Sequence, residues 1–304
     1  MIDLHTHTRA SDGDFSAEEL IAEAASAGLR AVAITDHDTT QGAMRITGKE
    51  PLEAIPGIEI SVYDFESNYM DIHVVGLFID PANPELLSKL GVLKKQREDQ
   101  KKETIAKLVG FGYDITFEEA AAKARGTIGR PHIAQVLVEK YPDEFPSLKS
   151  VFDKLIANGK PAYVDRKDSL AIREAVDMIH AAGGLASLAH PFLYNYDLGR
   201  LVADFRKARG DAIEVYYDYE TNIGRRIVYD PHVDAEGPEH FRGILQSENF
   251  SNRFMAEKGK VLAARFDLLE SGGSDFHGPG KKQQFGSFGA PDEILERLKR
   301  ALKT

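Results

Sequence analysis

The sequence contains no cysteine. Disulfides and thiolate metal ligands are therefore excluded, and any metal must be held by imidazole and carboxylate, a donor set that suits Zn, Mn or Fe. No apolar run approaches the length of a bilayer-spanning helix, so no membrane partner is expected. The first residues, MIDLHTHTRASDG, lack a basic segment leading into an apolar core. No secretory signal is expected from them, and a cytoplasmic location is. An excess of positive charge is missing too: 38 Lys and Arg against 48 Asp and Glu leave a net charge of −10. That balance argues against duplex DNA as a partner. It leaves a small anionic substrate open, because bound divalent cations can reverse the sign of a site. No internal repeat or low-complexity tract is present.

What remains is an ordinary globular composition, 42% hydrophobic and 28% charged over 304 residues, enough for one large domain or a domain with a sizeable insertion. Strand and helix patterns alternate, which predicts an α/β architecture. A first strand reads Ile2–His7. A helix follows, with Ser16 and Glu19 forming a capping box, Leu20, Ile21, Ala24 and Ala25 as its apolar face, and Gly28 as its stop. Further strands read as Ala31–Thr35, Ile58–Ile60, Ile72–Leu77, Leu185–Ala189, Ala212–Tyr216 and the segment before Gly272. A helix is predicted over Ser169–Ala182, ending at Gly183 and Gly184. Between about Pro84 and Val164 the rhythm breaks into helical patterns, the longest over Leu86–Val109. This predicts a helical insertion over 84–164, with 1–83 and 165–304 forming the main domain. A second irregular stretch, Tyr217–Asn252, reads as an extended loop.

Six of the ten histidines fall at or near predicted strand ends: His5, His7, His37, His73, His190 and His277. Asp12, Asp36, Asp38, Glu59 and Asp275 accompany them. His5 and His7 are two apart on a strand and share a face; Asp275 and His277 repeat that spacing. Taken singly, each has a bland reading. A strand histidine is more often a hydrogen-bonded structural residue, Glu59 reads equally as exposed on a half-buried strand, and Asp36 and Asp38 read as turn formers. Taken together the bland readings fail. Six histidines at or near the ends of five strands share no structural need, whereas a borderline cation requires imidazoles with carboxylates.

The segments HTHTRASDG at 5–13, TDHD at 35–38, GIEIS at 57–61, DIHVVGL around His73, AHP at 189–191 and GSDFHG at 273–278 resemble, in this order, the PHP (polymerase and histidinol phosphatase) family. The resemblance implies a distorted (β/α)7 barrel with two to three divalent ions (Mn, Fe or Zn) at its mouth. It implies that His5, His7, Glu59 and Asp275 hold one metal, and that Glu59 bridges to a second held by His73 and His190. Asp12, His37 and His277 would hold a third. Glu59, Asp275 and His190 would then be the catalytic set, and Asp36 and Asp38 would orient ligands. The implied chemistry is hydrolysis of a phosphate ester by a metal-bridging hydroxide.

Within the insertion, the segments at 129–134 and 159–164 are similar to small family members that remove the 3′-phosphate from nucleoside 3′,5′-bisphosphates. That similarity implies that Arg130, His132 and Lys160 bind a second phosphate, with Asp12 and His37 also touching substrate; Arg97 on the long helix either joins them or belongs to a solvated helix face, the latter reading slightly ahead. The stretch carrying Arg225, Arg226, His232 and His240 is longer than in those relatives, and its histidines read as surface residues. Two alternatives stay open. One is a 5′-to-3′ exonuclease on short RNA; the other is a non-catalytic, metal-binding structural domain.

Overall fold

The computed structural model describes residues 1–124, 128–165, 169–221, 251–279, 285–286 and 288–303. Arg225, Arg226, His232 and His240 lie outside them, with most of the loop expected over 217–252. Contact density divides the chain into two compact units, Met1–Leu87 with Leu170–Thr304, and Ser88–Ser169.

In the first unit, seven strands lie side by side in chain order: β1 (Ile2–Asp3), β2 (Ala31–Ile34), β3 (Glu53–Asp64), β4 (Tyr69–Leu77), β5 (Leu185–Leu188), β6 (Ala212–Tyr217) and β7 (Leu269–Gly273). The two edges meet. The Leu4 amide donates to the Gly272 carbonyl at 3.2 Å, and the Asp275 amide donates to the His5 carbonyl at 2.9 Å. The sheet thus curls into a nearly closed barrel, as expected. A side chain at Gly273 would place its Cβ 2.3 Å from the His5 nitrogen, so this approach of β7 to β1 requires glycine.

Neighbouring strands are parallel except around β4, which runs antiparallel to both β3 and β5. The segments read as two separate strands, Ile58–Ile60 and Ile72–Leu77, are the arms of one hairpin. A parallel pair needs a crossover of about a dozen residues or more. Here only a tight turn intervenes, in which Asp64 Oδ1 accepts from the Ser67 amide at 2.9 Å. The reversal matters for chemistry. It brings the first half of β4, with His73, to the end of the barrel where the parallel strands finish.

Helix α1 (Ala17–Ser26) has the predicted capping box of Ser16 and Glu19, and the chain leaves it through Gly28 at φ 74°, a left-handed conformation that costs glycine little. Leu20, Ile21 and Ala24 pack on Val32 and Ile34 of β2. Helix α2 (Pro84–Gly110) starts where the βα rhythm breaks in the sequence, and the division between units falls in its first turn. The second unit adds α3 (Phe117–Lys123), α4 (Arg130–Lys140) and α5 (Leu148–Val151). It has its own core, including Leu108, Ile133, Leu137, Phe145 and Ile156. The helix predicted over Ser169–Ala182 is α6 (Ile172–Ala181); it begins later because Leu170 pairs with Tyr63 of β3. Then come α7 (Leu198–Lys207), α8 (Asn252–Arg265) and α9 (Asp292–Ala301). Ile294, Leu295 and Leu298 of α9 join Ile2, Ala33, Ile55 and Leu77 in a second aliphatic cluster. No described helix is long and apolar enough to cross a membrane.

Candidate metal centre

The strand ends deliver the polar residues. His5 and His7 follow β1, His37 follows β2, Glu59 lies in β3, His190 follows β5, and Asp275 and His277 follow β7. His37 pairs with Glu59, and Thr6 with Phe276, through isolated parallel bridges that extend the barrel past its regular strands. Two of the connecting residues hold left-handed backbone, His190 at φ 28° and Asp275 at φ 57°. Such conformations cost non-glycine residues free energy and persist where the surroundings enforce them.

Glu59 is the hub. It is fully buried, which removes its reading as an exposed strand residue. Its Oε2 lies 2.9 Å from His37 Nδ1 and 3.3 Å from both His5 Nε2 and His7 Nε2. Its Oε1 lies 2.9 Å from His73 Nδ1 and 3.3 Å from His190 Nε2. Asp275 Oδ1 adds contacts to His7 Nε2 at 3.1 Å and His5 Nε2 at 3.6 Å. Asp12 Oδ1 lies 3.2 Å from His277 Nε2, 3.9 Å from His7 Nδ1 and 4.0 Å from His37 Nε2. Among the described residues, three groups therefore have donor atoms converging within 4.8 Å: His5, His7, Glu59 and Asp275; His7, Asp12, His37 and His277; and His37, Glu59 and His73. The resemblance places His7 in one set and His37 in another; here each stands between two.

Closeness alone does not make these contacts hydrogen bonds. His5 Nε2, both ring nitrogens of His7, His37 Nδ1, His190 Nδ1 and Glu59 Oε2 are buried without a hydrogen-bond partner. Orphaned buried polar atoms are rare because each costs desolvation free energy. A cluster of them on imidazoles and one carboxylate fits divalent cations, whose bonds would satisfy them together. The electrostatics agree. Burial pushes Glu59 up, but His37, His5 and His73 outweigh it and hold the carboxyl well below the usual range. Burial, with His277 and His37 alongside, pushes His7 down to about 3, leaving the neutral imidazole that a metal requires. Burial would lower His73 as well, but Glu59 and Asp71 raise it to about 10. The carboxylates thus favour positive charge around them.

Around the cluster lies a cavity of about 340 Å³. Asp12, Asp71, His73 and His277 give it polar walls, and Leu193 and Tyr194 an apolar side.

Other groups hold these side chains in place. Asp36 accepts from the Thr8 amide and hydroxyl at 2.7 Å each and from the Ser11 hydroxyl at 2.6 Å. Asp38 accepts from the Ser61 amide and hydroxyl at 2.9 and 2.8 Å. Sequence reading missed three further groups. Glu214 of β6 is buried beside His5 and His190, Tyr217 donates its hydroxyl to Asp275 Oδ2 at 3.0 Å, and Asp3 accepts from the Ser274 amide at 2.9 Å. Burial raises Asp3 to about 6. The available signal was a charged residue at a strand position flanked by apolar ones, Asp3 between Ile2 and Leu4 and Glu214 between Ile213 and Val215.

Arg97, Arg130, His132 and Lys160 belong to the second unit. The Arg130 guanidinium lies against the Tyr163 and Phe152 rings, 5.6 and 5.9 Å from their centroids, and reaches the Ile156 carbonyl at 3.4 Å. His132 caps its own helix, accepting the Gly129 amide on Nδ1 at 2.9 Å. Burial lowers its pKa, and with Nδ1 accepting an amide the neutral ring would carry its proton on Nε2, where it can donate. Lys160 sits in an exposed turn, its amide donating to the Ala157 carbonyl at 3.0 Å. Arg97 lies on α2.

The PHP domain model matches residues 3–184. The chain is 32% identical to a 3′,5′-nucleoside bisphosphate phosphatase of Chromobacterium violaceum, over 92% of this chain and 88% of that one. It is 39% identical to the 5′-3′ exoribonuclease Rnm of Escherichia coli, over 91% of this chain and 85% of that one. Among solved structures, a Bifidobacterium adolescentis protein assigned as a metal-dependent phosphoesterase superposes with a TM-score of 0.69 at 26% identity, covering 98% of this chain and 94% of the other.

Proposed function

Because the chain belongs to the PHP domain family and is a metal-dependent phosphoesterase, we propose that it hydrolyses a phosphate monoester of a small nucleotide, the 3′-phosphate of a nucleoside 3′,5′-bisphosphate. The observation that carries the proposal is Glu59, one buried carboxylate with five imidazoles within 3.3 Å, several of whose nitrogens make no hydrogen bond.

His5, His7, Asp275 and Glu59 would hold one divalent ion, Glu59 with His73 and His190 a second, and Asp12, His37 and His277 a third; Mn, Fe and Zn all suit these donors. Bound cations there supply charge neutralisation for a phosphoryl group and acidify water. The chain's own contribution is arrangement. Glu59 offers two oxygens to opposite sides of the cluster, and Asp275 is clamped by Tyr217. Leu193 and Tyr194 provide an apolar wall for a nucleoside. Phosphoryl transfer depends mainly on positioning and charge, so neither a cysteine nor a serine nucleophile is needed. Arg130, His132 and Lys160, with Arg97, are the residues to which resemblance assigns the second phosphate. The reading includes a cytoplasmic location and, with a net charge of −10, no duplex DNA partner.

A second reading, stepwise 5′-to-3′ removal of nucleotides from short RNA, is favoured by the 39% identity to the E. coli exoribonuclease. The test is a screen of phosphorylated metabolites and a 5′-labelled oligoribonucleotide with the metal varied. Release of phosphate from nucleoside 3′,5′-bisphosphates supports the first reading, and a product ladder supports the second. Bound metal with no turnover on any phosphoester would reduce the chain to a structural PHP domain.

A further inference from the structure

Glu214 is almost fully buried in β6, a strand otherwise lined at this level by Ile213 and Val215. A carboxylate is not placed there for packing, and both of its oxygens are in use. Oε1 lies 2.8 Å from His5 Nδ1, and Oε2 accepts the His190 amide at 2.7 Å. The pairing of β6 with β7 shifts register between Glu214 and Tyr216. Such an irregularity re-aims side chains at the rim of a barrel.

We infer that Glu214 is the positioning residue of the metal cluster, fixing the tautomer of His5 and the strained backbone of His190 at once. The inference rests on the metal reading of the site. An ionised carboxylate only accepts hydrogen bonds, so His5 facing Oε1 carries its proton on Nδ1. Its Nε2 then presents a lone pair toward Glu59 Oε2 at 3.3 Å and Asp275 Oδ1 at 3.6 Å. With the other tautomer, that nitrogen would carry a proton and could not ligate. The second oxygen acts on backbone. His190 stands at φ 28°, and a charged acceptor on its amide holds the turn that brings Nε2 to 3.3 Å from Glu59 Oε1. His5 and His190 approach opposite oxygens of Glu59, so one glutamate sets the geometry on both sides of the proposed bridge.

Glu214→Gln keeps the size and removes the symmetry. If the amide oxygen stays with the His190 N–H, the NH2 group faces His5 Nδ1, and the His5 proton must move to Nε2. The expected result is a metal affinity about tenfold to a hundredfold weaker, measured by chelator competition. The unfolding midpoint of the metal-free chain should be little changed. The second measurement uses the metal-free chain: imidazole proton and nitrogen NMR, with His5 assigned by substitution, should show a hydrogen-bonded Nδ1–H in the wild type that is lost in Glu214→Gln. A folded Glu214→Gln chain with wild-type metal affinity, or a wild-type His5 protonated on Nε2 alone, overturns the inference. Failure of the metal reading looks different, because the wild-type chain itself would then bind no metal at this cluster.

Discussion

Asp36 and Thr8 are joined twice, the Thr8 amide donating to Oδ1 and the Thr8 hydroxyl to Oδ2, both at 2.7 Å. With Ser11 as a third donor at 2.6 Å, this buried carboxylate ties the turn after β2 to the loop between His7 and Asp12. Asp36→Ala should therefore destabilise the metal-free chain, at about 1.5–3 kcal/mol for each charged hydrogen bond lost, reduced where water can enter. Denaturant unfolding reads the change directly. An unaltered midpoint would show that the loop is held by other contacts.

Metal removal should act on stability as well as on turnover. The orphaned atoms around Glu59 are buried and converge only in the folded chain, so cations that join them bind the folded state in preference to the unfolded one. Ligand at a hundred times its dissociation constant stabilises by about 2.7 kcal/mol. Chelated protein should be inactive and should melt lower, and re-added Mn, Fe or Zn should restore both properties. Elemental analysis of the protein as isolated should find two to three ions per chain. Full activity in metal-free protein would end the metal mechanism.

Glu59→Gln leaves a side chain of the same shape with one acceptor in place of two charged oxygens. Changes to outer partners of metal ligands already cost about 10- to 100-fold, so this central change should lower turnover by more than about a hundredfold. The barrel core is aliphatic, and circular dichroism should show a folded chain. Wild-type turnover in this variant would return Glu59 to the status of a strand residue.

Recognition can be separated from chemistry at Arg130. One charged hydrogen bond to phosphate is worth roughly 1.5–3 kcal/mol, or about tenfold to a hundredfold in kcat/KM. Arg130→Ala should show that loss on a nucleoside 3′,5′-bisphosphate and little loss on an aryl phosphate, with unchanged metal content. The guanidinium also packs on the Tyr163 and Phe152 rings, so Arg130→Lys is the companion variant. Equal losses on both substrates would assign Arg130 to the fold of its unit.

The local devices were legible without coordinates. Ser16 and Glu19 cap α1 through contacts three residues apart, and Gly28 ends it through its own φ. The two-residue spacing of His5 and His7 brought both next to Glu59 Oε2. The reversal of β4 was not legible. The pattern of Ile72–Leu77 is the same whichever way the strand runs, and the short turn before it was the only local sign.

By itself, then, the sequence determined the donor chemistry: no thiolate, six histidines at or near predicted strand ends, and carboxylates beside them. Those are properties of residue type and short spacing, set within a few positions. Only the tertiary structure decided which imidazole shares which oxygen of Glu59, and that Glu214 holds His5 from 209 positions away. A glutamate between Ile213 and Val215 looks the same in sequence whether it meets water or a histidine. The closure of the barrel and the register of β6 against β7 settle which it meets, because they alone bring the end of β1 across from the middle of β6.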